Sequence, residues 1–297
     1  MNLAQKLAAD KVEKGVADII TFFADMAPTL RGGFLTQIPE IAGTSNVYGE
    51  EQMKLDVWAD KTILEKLVAS KRVCAIFTEE QPEIVKVAGG ANYAVCIDPM
   101  DGSSNIKTNL AMGTIVAIFG GSDALAQGKT QKAALYLLFG PVTTMVVTWG
   151  KGVNEFIFDG KQFLVRAEGI KLPEKPGVYI PGGRKDKWLP GFAKFIAEIE
   201  KTDMKSRNNG CMVSDVNTLL KYGGIFTYPA QADKPDGKLR VLCEANPMAF
   251  IISQAGGYGS DGKKSLLEIK PTHSDQRTPI YLGNTELVKK VESYLKA

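Results

Sequence analysis

The chain has a single histidine, His273, among its 297 residues. A Ser-His-Asp catalytic set or a histidine-built metal centre has almost nothing to draw on. His273 lies in PTHSDQR, which reads as a surface loop, and neither Ser103 nor Ser104 has an evident base partner. Cysteine is also scarce. Cys74, Cys96, Cys211 and Cys243 are too far apart for a zinc knuckle or a CxxC redox pair. The apolar runs around Cys74 and Cys96 fit reduced core thiols. No segment approaches the about 18 apolar residues of a membrane span. The N-terminus, MNLAQKLAADKVEKGVADII, carries acids and lacks an apolar run, which argues against a signal peptide. Neither charge sign dominates: 36 basic and 33 acidic residues leave a formal +3, with no long basic run. The expectation is a cytoplasmic protein with no membrane and no nucleic-acid partner.

What is present is enough apolar residue, 44%, for an ample core in one large domain or two fused halves. Leu3, Leu7, Val12, Val16, Ile19, Ile20, Phe23 and Met26 recur at helical spacing, with a polar, glycine-containing stretch after residue 30. Asp56 to Ala69, residues 188–200, CMVSDVNTLLKY, ANPMAFIISQ and residues 285–296 read as further helices. VCAIF (73–77), YAVCI (93–97), GTIVAIF, AALYLLF, TTMVVTW, GGIFTYPA and KLRVLCE (238–244) read as strands, with a hairpin around Asp159-Gly160. Helices and strands mix throughout, with no repeat and no low-complexity segment. A layered α/β architecture is predicted, rather than a bundle or a sandwich of sheets alone.

Three of these predicted strands run into carboxylates. VCAIF-T leads to Glu79-Glu80, YAVCI to Asp98 and Asp101, and KLRVLC to Glu244. Taken singly, each has a plainer reading: a solvated turn, an Asp-Gly turn, a helix cap. A calcium loop is excluded by spacing, because with Asp98 as its first position the fifth and twelfth are Gly102 and Asn109. Ligand sites of α/β sheets lie beyond the carboxyl ends of strands. If these ends are neighbours, five carboxylates converge and need a strong counter-charge. All-oxygen ligation points to magnesium or manganese. Gly102, Ser103 and Ser104 follow at once, and their backbone N–H groups suit a phosphate. Lys238 and Arg240, on the strand face expected to carry Glu244, suit a phosphate clamp. With no histidine base at hand, a cation-activated water is the better nucleophile.

The ordered motifs FTEEQ, IDPMDGSSNI, GCMVSDV, YGGIFTYPA, GKLRVLCEANPMAFIISQAGG and DQRTPIYLG together resemble class I fructose-1,6-bisphosphatase. That family lies in the metal-dependent sugar phosphatase superfamily that includes inositol monophosphatase. The resemblance spans residues 44–290 and implies a layered α-β-α-β-α sandwich. It also implies Mg²⁺-dependent hydrolysis of the 1-phosphate of fructose 1,6-bisphosphate, in gluconeogenesis. Residues 1–165 would hold the metal-binding acids and a degenerate AMP-site region, and 166–297 the sugar-phosphate contacts. By resemblance, Glu79, Asp98, Asp101, Glu244 and the Met100 carbonyl are metal ligands for two or three Mg²⁺ per subunit, with Mn²⁺ as substitute. Glu80 and Asp56 match the pair that orients and deprotonates water, and Glu50 matches an acid on a closing loop. Gly102 and Ser103, with Ser104 beside them, and Arg240 would hold the 1-phosphate. Met212 and Lys238 would contact the sugar, and Tyr228 the 6-phosphate. Arg207 would reach the 6-phosphate of a neighbouring subunit, implying a homodimer or homotetramer.

The chain also departs from that pattern. Asn208 stands where a tyrosine is usual, and the segment from Gly183 to Arg207 is short. NIKTN, MVSDVN and GGYGSDGKKSLLE lean toward sedoheptulose-1,7-bisphosphatase, whereas SSNI, NPMAF and DQRTPIYLG lean toward the fructose enzyme. Tyr228, Lys238, Arg240 and Arg207 exceed what a monophosphatase requires, and the intact acids argue against a non-catalytic phosphosugar-binding protein. The threonine turn that binds AMP in regulated members is missing before Gly43, and Asn92 stands where lysine is usual beside Tyr93. AMP is expected to inhibit the pure protein weakly or not at all in a steady-state assay; potent inhibition would contradict this.

Overall fold

The computed structural model describes residues 1–37, 41–45 and 51–296, with side chains described for all of these except 41–45 and 51–53. The predicted first helix is two helices, α1 (Leu3–Ala9) and α2 (Lys14–Thr36). Asn2 and Gln5 cap α1 reciprocally, and Lys11, at φ 53°, turns the chain between them. α2 continues through the glycines expected to end it. The reason is close packing: a Cβ on Gly33 would lie 2.2 Å from the Trp58 ring of α3 (Lys54–Ser70). Glycine there lets two helices approach where any side chain would hold them apart.

β1 (Ile41–Ser45) and β2 (Glu51–Met53) pair as a short ribbon. The large sheet comprises β3 (Ala75–Thr78), β4 (Val85–Lys86), β5 (Tyr93–Asp101), β6 (Met112–Gly120), β7 (Gln131–Phe139), β8 (Thr143–Thr148), β9 (Val153–Phe158) and β10 (Phe163–Ile170). Its order is β10-β9-β8-β7-β6-β5-β3-β4, antiparallel except for the parallel pair β3–β5. A second sheet has the order β12-β11-β13-β17-β15. Its strands are β11 (Val178–Pro181), β12 (Lys205–Ser206), β13 (Gly224–Tyr228), β15 (Tyr258–Ser260) and β17 (Ile280–Gly283). β14 (Leu239–Arg240) and β16 (Arg277–Thr278) form a separate pair. The remaining helices are α4 (Pro190–Ile199), α5 (Met212–Tyr222), α6 (Asn246–Gln254) and α7 (Thr285–Lys296).

The cores assign the layers. Val95 and Ile97 of β5 point into the core under α1, α2 and α3, while Ala94 and Cys96 point to the opposite face, as strand alternation requires. On that opposite face Ile115, Ala134, Tyr136 and Val146 meet α5 and α6, which also cover Val178, Ile180, Phe226 and Leu282 of the second sheet. The far face of the second sheet, with Tyr179, Ile225 and Tyr281, packs on Phe192 and Phe195 of α4 and Val288 and Val291 of α7. The five-layer α-β-α-β-α order expected from the sequence is present.

Two expectations are corrected. The strand read at 93–97 runs on to Asp101, so Asp98 and Asp101 lie within β5 and not beyond it; the register with β6 shifts between them. KLRVLCE is not one strand. Only Leu239 and Arg240 are extended, and Val241–Ala245 forms a widened π-helical turn leading into α6. The Glu244 carboxylate accepts the Arg240 backbone N–H at 2.6 Å, closing that turn on itself. Lys238, Arg240 and Glu244 therefore do not share a strand face.

Large sheet and inner helices are also joined by charge. Glu155 of β9, 2% exposed in its side chain, meets Lys221 of α5 at 2.5 Å and Arg166 of β10 at 3.5 Å. Lys221→Met would leave the carboxylate half-compensated. Lys221 is one-third exposed and Arg166 remains, so the expected cost is about 2 kcal/mol, below the 3–5 kcal/mol of a fully buried pair. Urea unfolding of this variant and of Glu155→Gln/Lys221→Met checks it: the double variant is expected to recover most of the loss.

Candidate active site

The site grows from the carboxyl ends of β3 and β5, the only parallel neighbours of the large sheet among the described residues. The Glu79 N–H donates to the Ile97 carbonyl at 3.0 Å, which brings the Glu79-Glu80 turn beside β5. Asp98 is 5% exposed and accepts the Met100 N–H at 3.0 Å. Thr114 donates to the Pro99 carbonyl at 2.9 Å, pinning the irregular stretch between the two aspartates. Asp101 accepts the Val213 N–H at 2.6 Å and the Cys211 thiol at 3.0 Å. α5 has no side-chain cap of its own, so Asp101 acts as its N-terminal cap from a distant strand. Val241–Ala245 delivers Glu244, which is 4% exposed.

Gly102 leaves β5 with φ 73° and opens the 3₁₀ turn Ser103–Thr108. A Cβ there would stand 2.6 Å from the Cys211 Cβ, so only glycine combines this conformation with close approach of the two segments. The turn is anchored by buried Asn105, whose amide donates to the Ala111 and Asn209 carbonyls at 2.9 and 2.8 Å. Ser103 donates to Asp56, near the start of α3, at 2.9 Å. The result is a meeting of acids with the opening N–H groups of a tight turn, a combination suited to a cation and an anion together.

Arg240 is 2% exposed and pairs with Glu79; its Nε also donates to Asp275 at 2.9 Å. Arg277 joins Asp275 at 3.5 Å and donates to the Lys238 carbonyl at 2.9 Å. Lys238 is exposed, 5.9 Å above the Tyr228 ring. Met212 is buried at the first turn of α5.

The structure thus brings Glu79, Asp98, Asp101, Glu244 and Asp56 into one electrostatic field, with Gly102, Ser103, Arg240 and Met212 around it. Glu80 follows Glu79, half-buried, and Ser104 is exposed. Arg207 stands exposed beyond the edge strand β12, where it borders a cavity of about 450 Å³ with Lys175, Lys205 and Tyr222. Asn208 turns its amide to the Pro181 carbonyl at 3.2 Å. Glu50 lies outside the described residues. Tyr93, expected in the degenerate effector region, donates its hydroxyl to Glu13, which pushes its pKa up to about 12. His273 is in an exposed loop, as read.

Sequence reasoning missed Asp275, Cys211 and Cys243. Asp275 was visible only as part of DQRTPIYLG, and nothing in that stretch announces a partner for Arg240. Cys243 lies in the π turn, with its sulfur and the carboxylate oxygens of Glu79 and Glu244 within 4.8 Å of one another.

Burial, and then Glu79, Asp101, Glu244 and Asp56, push the Asp98 carboxyl well above its ordinary range. Burial also raises Asp101, against the hydrogen bonds from Cys211, Val213 and Met212. Burial and Glu79 raise Glu244 to about 8. A donor set of crowded carboxylates with one guanidinium against it fits a hard divalent cation.

Two family models match the chain: the N-terminal domain of fructose-1-6-bisphosphatase over residues 10–165 and its C-terminal domain over residues 172–296. The chain is 42% identical to a class 1 fructose-1,6-bisphosphatase of Geotalea uraniireducens, covering 99% of this chain and 96% of that one. Identity to the class 1 enzyme of Methanocorpusculum labreanum is 38%, with coverage of 98% and 90%. Among solved structures, the holo form of Leishmania major fructose-1,6-bisphosphatase superposes with a TM-score of 0.94 at 29% identity, covering 100% of this chain and 99% of that one.

The raised carboxyl pKa values fix the sign of a pH effect. Glu244 titrates at 4.5 when unperturbed and at about 8 in the fold, so between these values the folded state binds more protons than the unfolded. The stability that protonated Glu244 contributes to the cation-free protein is then fully present below about 4.5 and is lost as pH rises toward and through about 8. In EDTA, thermal melting is expected to drop across this window. Added Mg²⁺ is expected to raise the melting temperature more at its alkaline end than at its acidic end. A cation effect equal at both ends would contradict the clustering.

Proposed function

The chain belongs to the class 1 fructose-1,6-bisphosphatase family, and on that premise we propose that it hydrolyses the 1-phosphate of D-fructose 1,6-bisphosphate, releasing fructose 6-phosphate and phosphate. The observation that supports this reading is the clustering of Glu79, Asp98, Asp101 and Glu244 in one electrostatic field, with the Gly102–Ser103 turn following Asp101 directly. We assign Glu79, Asp98, Asp101, Glu244 and the Met100 carbonyl to the cation, with Mg²⁺ as the working ion, two or three per subunit, and Mn²⁺ able to replace it. A bound divalent cation supplies Lewis acidity to the phosphoryl oxygens and lowers the pKa of water.

The protein's own groups divide the rest. Gly102 and Ser103 present backbone N–H groups to the 1-phosphate, and Arg240 adds positive charge once it exchanges Glu79 for phosphate oxygen. Glu80 and Asp56 orient the attacking water and take its proton on a carboxylate oxygen. The Ser103 hydroxyl, bonded to Asp56, holds that carboxylate against the phosphate turn. Lys238 and Met212 face the sugar, and Tyr228, beside Lys238, the 6-phosphate. The exposed position of Arg207 suits a contact given to the neighbouring subunit of a homodimer or homotetramer. Ser104 and Asn208 lie at the margins of the substrate site. No helix among the described residues is long and apolar enough to cross a membrane, and we place the enzyme in the cytoplasm.

Phosphate release from fructose 1,6-bisphosphate and sedoheptulose 1,7-bisphosphate, with Mg²⁺ or EDTA, tests the reading. EDTA-sensitive release favouring fructose is expected. A preference for sedoheptulose would transfer the assignment to the longer sugar, a discrimination worth about 1–3 kcal/mol in a pocket. Glu80→Gln is expected to lower kcat by about 10²–10⁴ with a smaller change in KM; an unchanged kcat would remove Glu80 from its role.

A further inference from the structure

We propose that Cys243 makes the acid centre a binding site for a thiophilic divalent cation, of the zinc and cadmium class, with Glu79 and Glu244 as its oxygen ligands. The proposal rests on the reading of those two glutamates as cation ligands and adds a sulfur donor to them.

Three observations converge. Sγ of Cys243 and the carboxylate oxygens of Glu79 and Glu244 lie within 4.8 Å of one another. Cys243 is wholly buried among Ala75, Phe77, Cys96 and Leu242, and its thiol has no hydrogen-bond partner among the described residues. The third is the backbone itself. In an extended strand, residues 243 and 244 would point to opposite faces. The π turn Val241–Ala245 replaces that strand and brings consecutive side chains to one point.

Ligand chemistry then separates two classes of ion. Magnesium and manganese prefer oxygen, whereas thiolate sulfur selects zinc and its heavier congeners. Tetrahedral ligation at about 2.0–2.3 Å brings donor atoms to about 3.5 Å apart, so the trio closes by about an ångström through side-chain rotation. On ligation the metal–sulfur bond forms as the thiol proton leaves to water. The incoming cation takes over from the Arg240 guanidinium the charge compensation of Glu79. An ion so held excludes an oxygen-preferring ion from the same two glutamates.

The full chain, stripped with EDTA, would be titrated with Cd²⁺ while thiolate-to-cadmium absorbance is followed, and with Mn²⁺ in parallel by paramagnetic resonance. Expected is one sulfur–cadmium band per chain in wild type and in Cys211→Ser, lost in Cys243→Ser and Cys243→Val, with Cd²⁺ releasing bound Mn²⁺ from wild type. X-ray absorption of zinc-loaded wild type gives the same test without a variant: one sulfur ligand is expected. Mn²⁺ binding with no sulfur in either metal's shell overturns the inference and leaves the glutamates' role intact. A band that survives Cys243→Ser moves it to another thiol and overturns it as well. Binding of neither ion overturns both the inference and the reading beneath it.

Discussion

The rest of this structure is arranged around one unfavourable contact: carboxylates from three separate segments share a space nearly closed to water. Asp98 and Glu244 are about 5% exposed or less, and burial together with neighbouring carboxylates raises the pKa of both. Like charges at such range cannot all ionise in a low-dielectric site without compensation. The protein supplies part of it from within. Arg240 pairs with Glu79 and is held in turn by Asp275. Asp101 is satisfied by the N-terminus of α5 and the Cys211 thiol. What remains is excess negative charge beside the start of the Ser103–Thr108 turn. That imbalance is the property a cation-dependent phosphatase exploits.

The layers deliver these groups to one point. β3 and β5, as parallel neighbours, present Glu79 and the Asp98–Asp101 stretch side by side. α5, sandwiched between the sheets, points its first turn at Asp101 and is clamped at its other end by the Lys221–Glu155 pair. α3 brings Asp56 from the outer layer to Ser103. The site therefore draws on three layers at once, and its geometry depends on their mutual packing.

Much of this was legible along the chain. Helix and strand periodicities located the helices and most strands of the large sheet, because each buries a single face and its apolar spacing records that; of the second sheet only β13 was read, its other strands being two to four residues long and too short for a period to show. The repeated arrival of acids after apolar runs marked Glu79, Asp98, Asp101 and Glu244 as a set. Where reading failed, tertiary contacts had overruled local pattern. KLRVLCE alternates and is apolar enough for a strand, yet the Arg240 N–H finds Glu244 instead of a neighbouring strand. The Gly32-Gly33 pair of α2 looks like a helix stop, yet Gly33 serves the approach of Trp58.

The sequence by itself determined the class of architecture, the stock of chemistry and the near absence of histidine, since composition and periodicity are properties of the chain alone. Only the tertiary structure decided which charges compensate which. Arg240 and Asp275 lie 35 residues apart, and Asp101 and Cys211 110 apart. No local rule links such distant positions. Their contact exists because burial of the layer faces brings the segments together, and the polar groups at the seam must then satisfy one another.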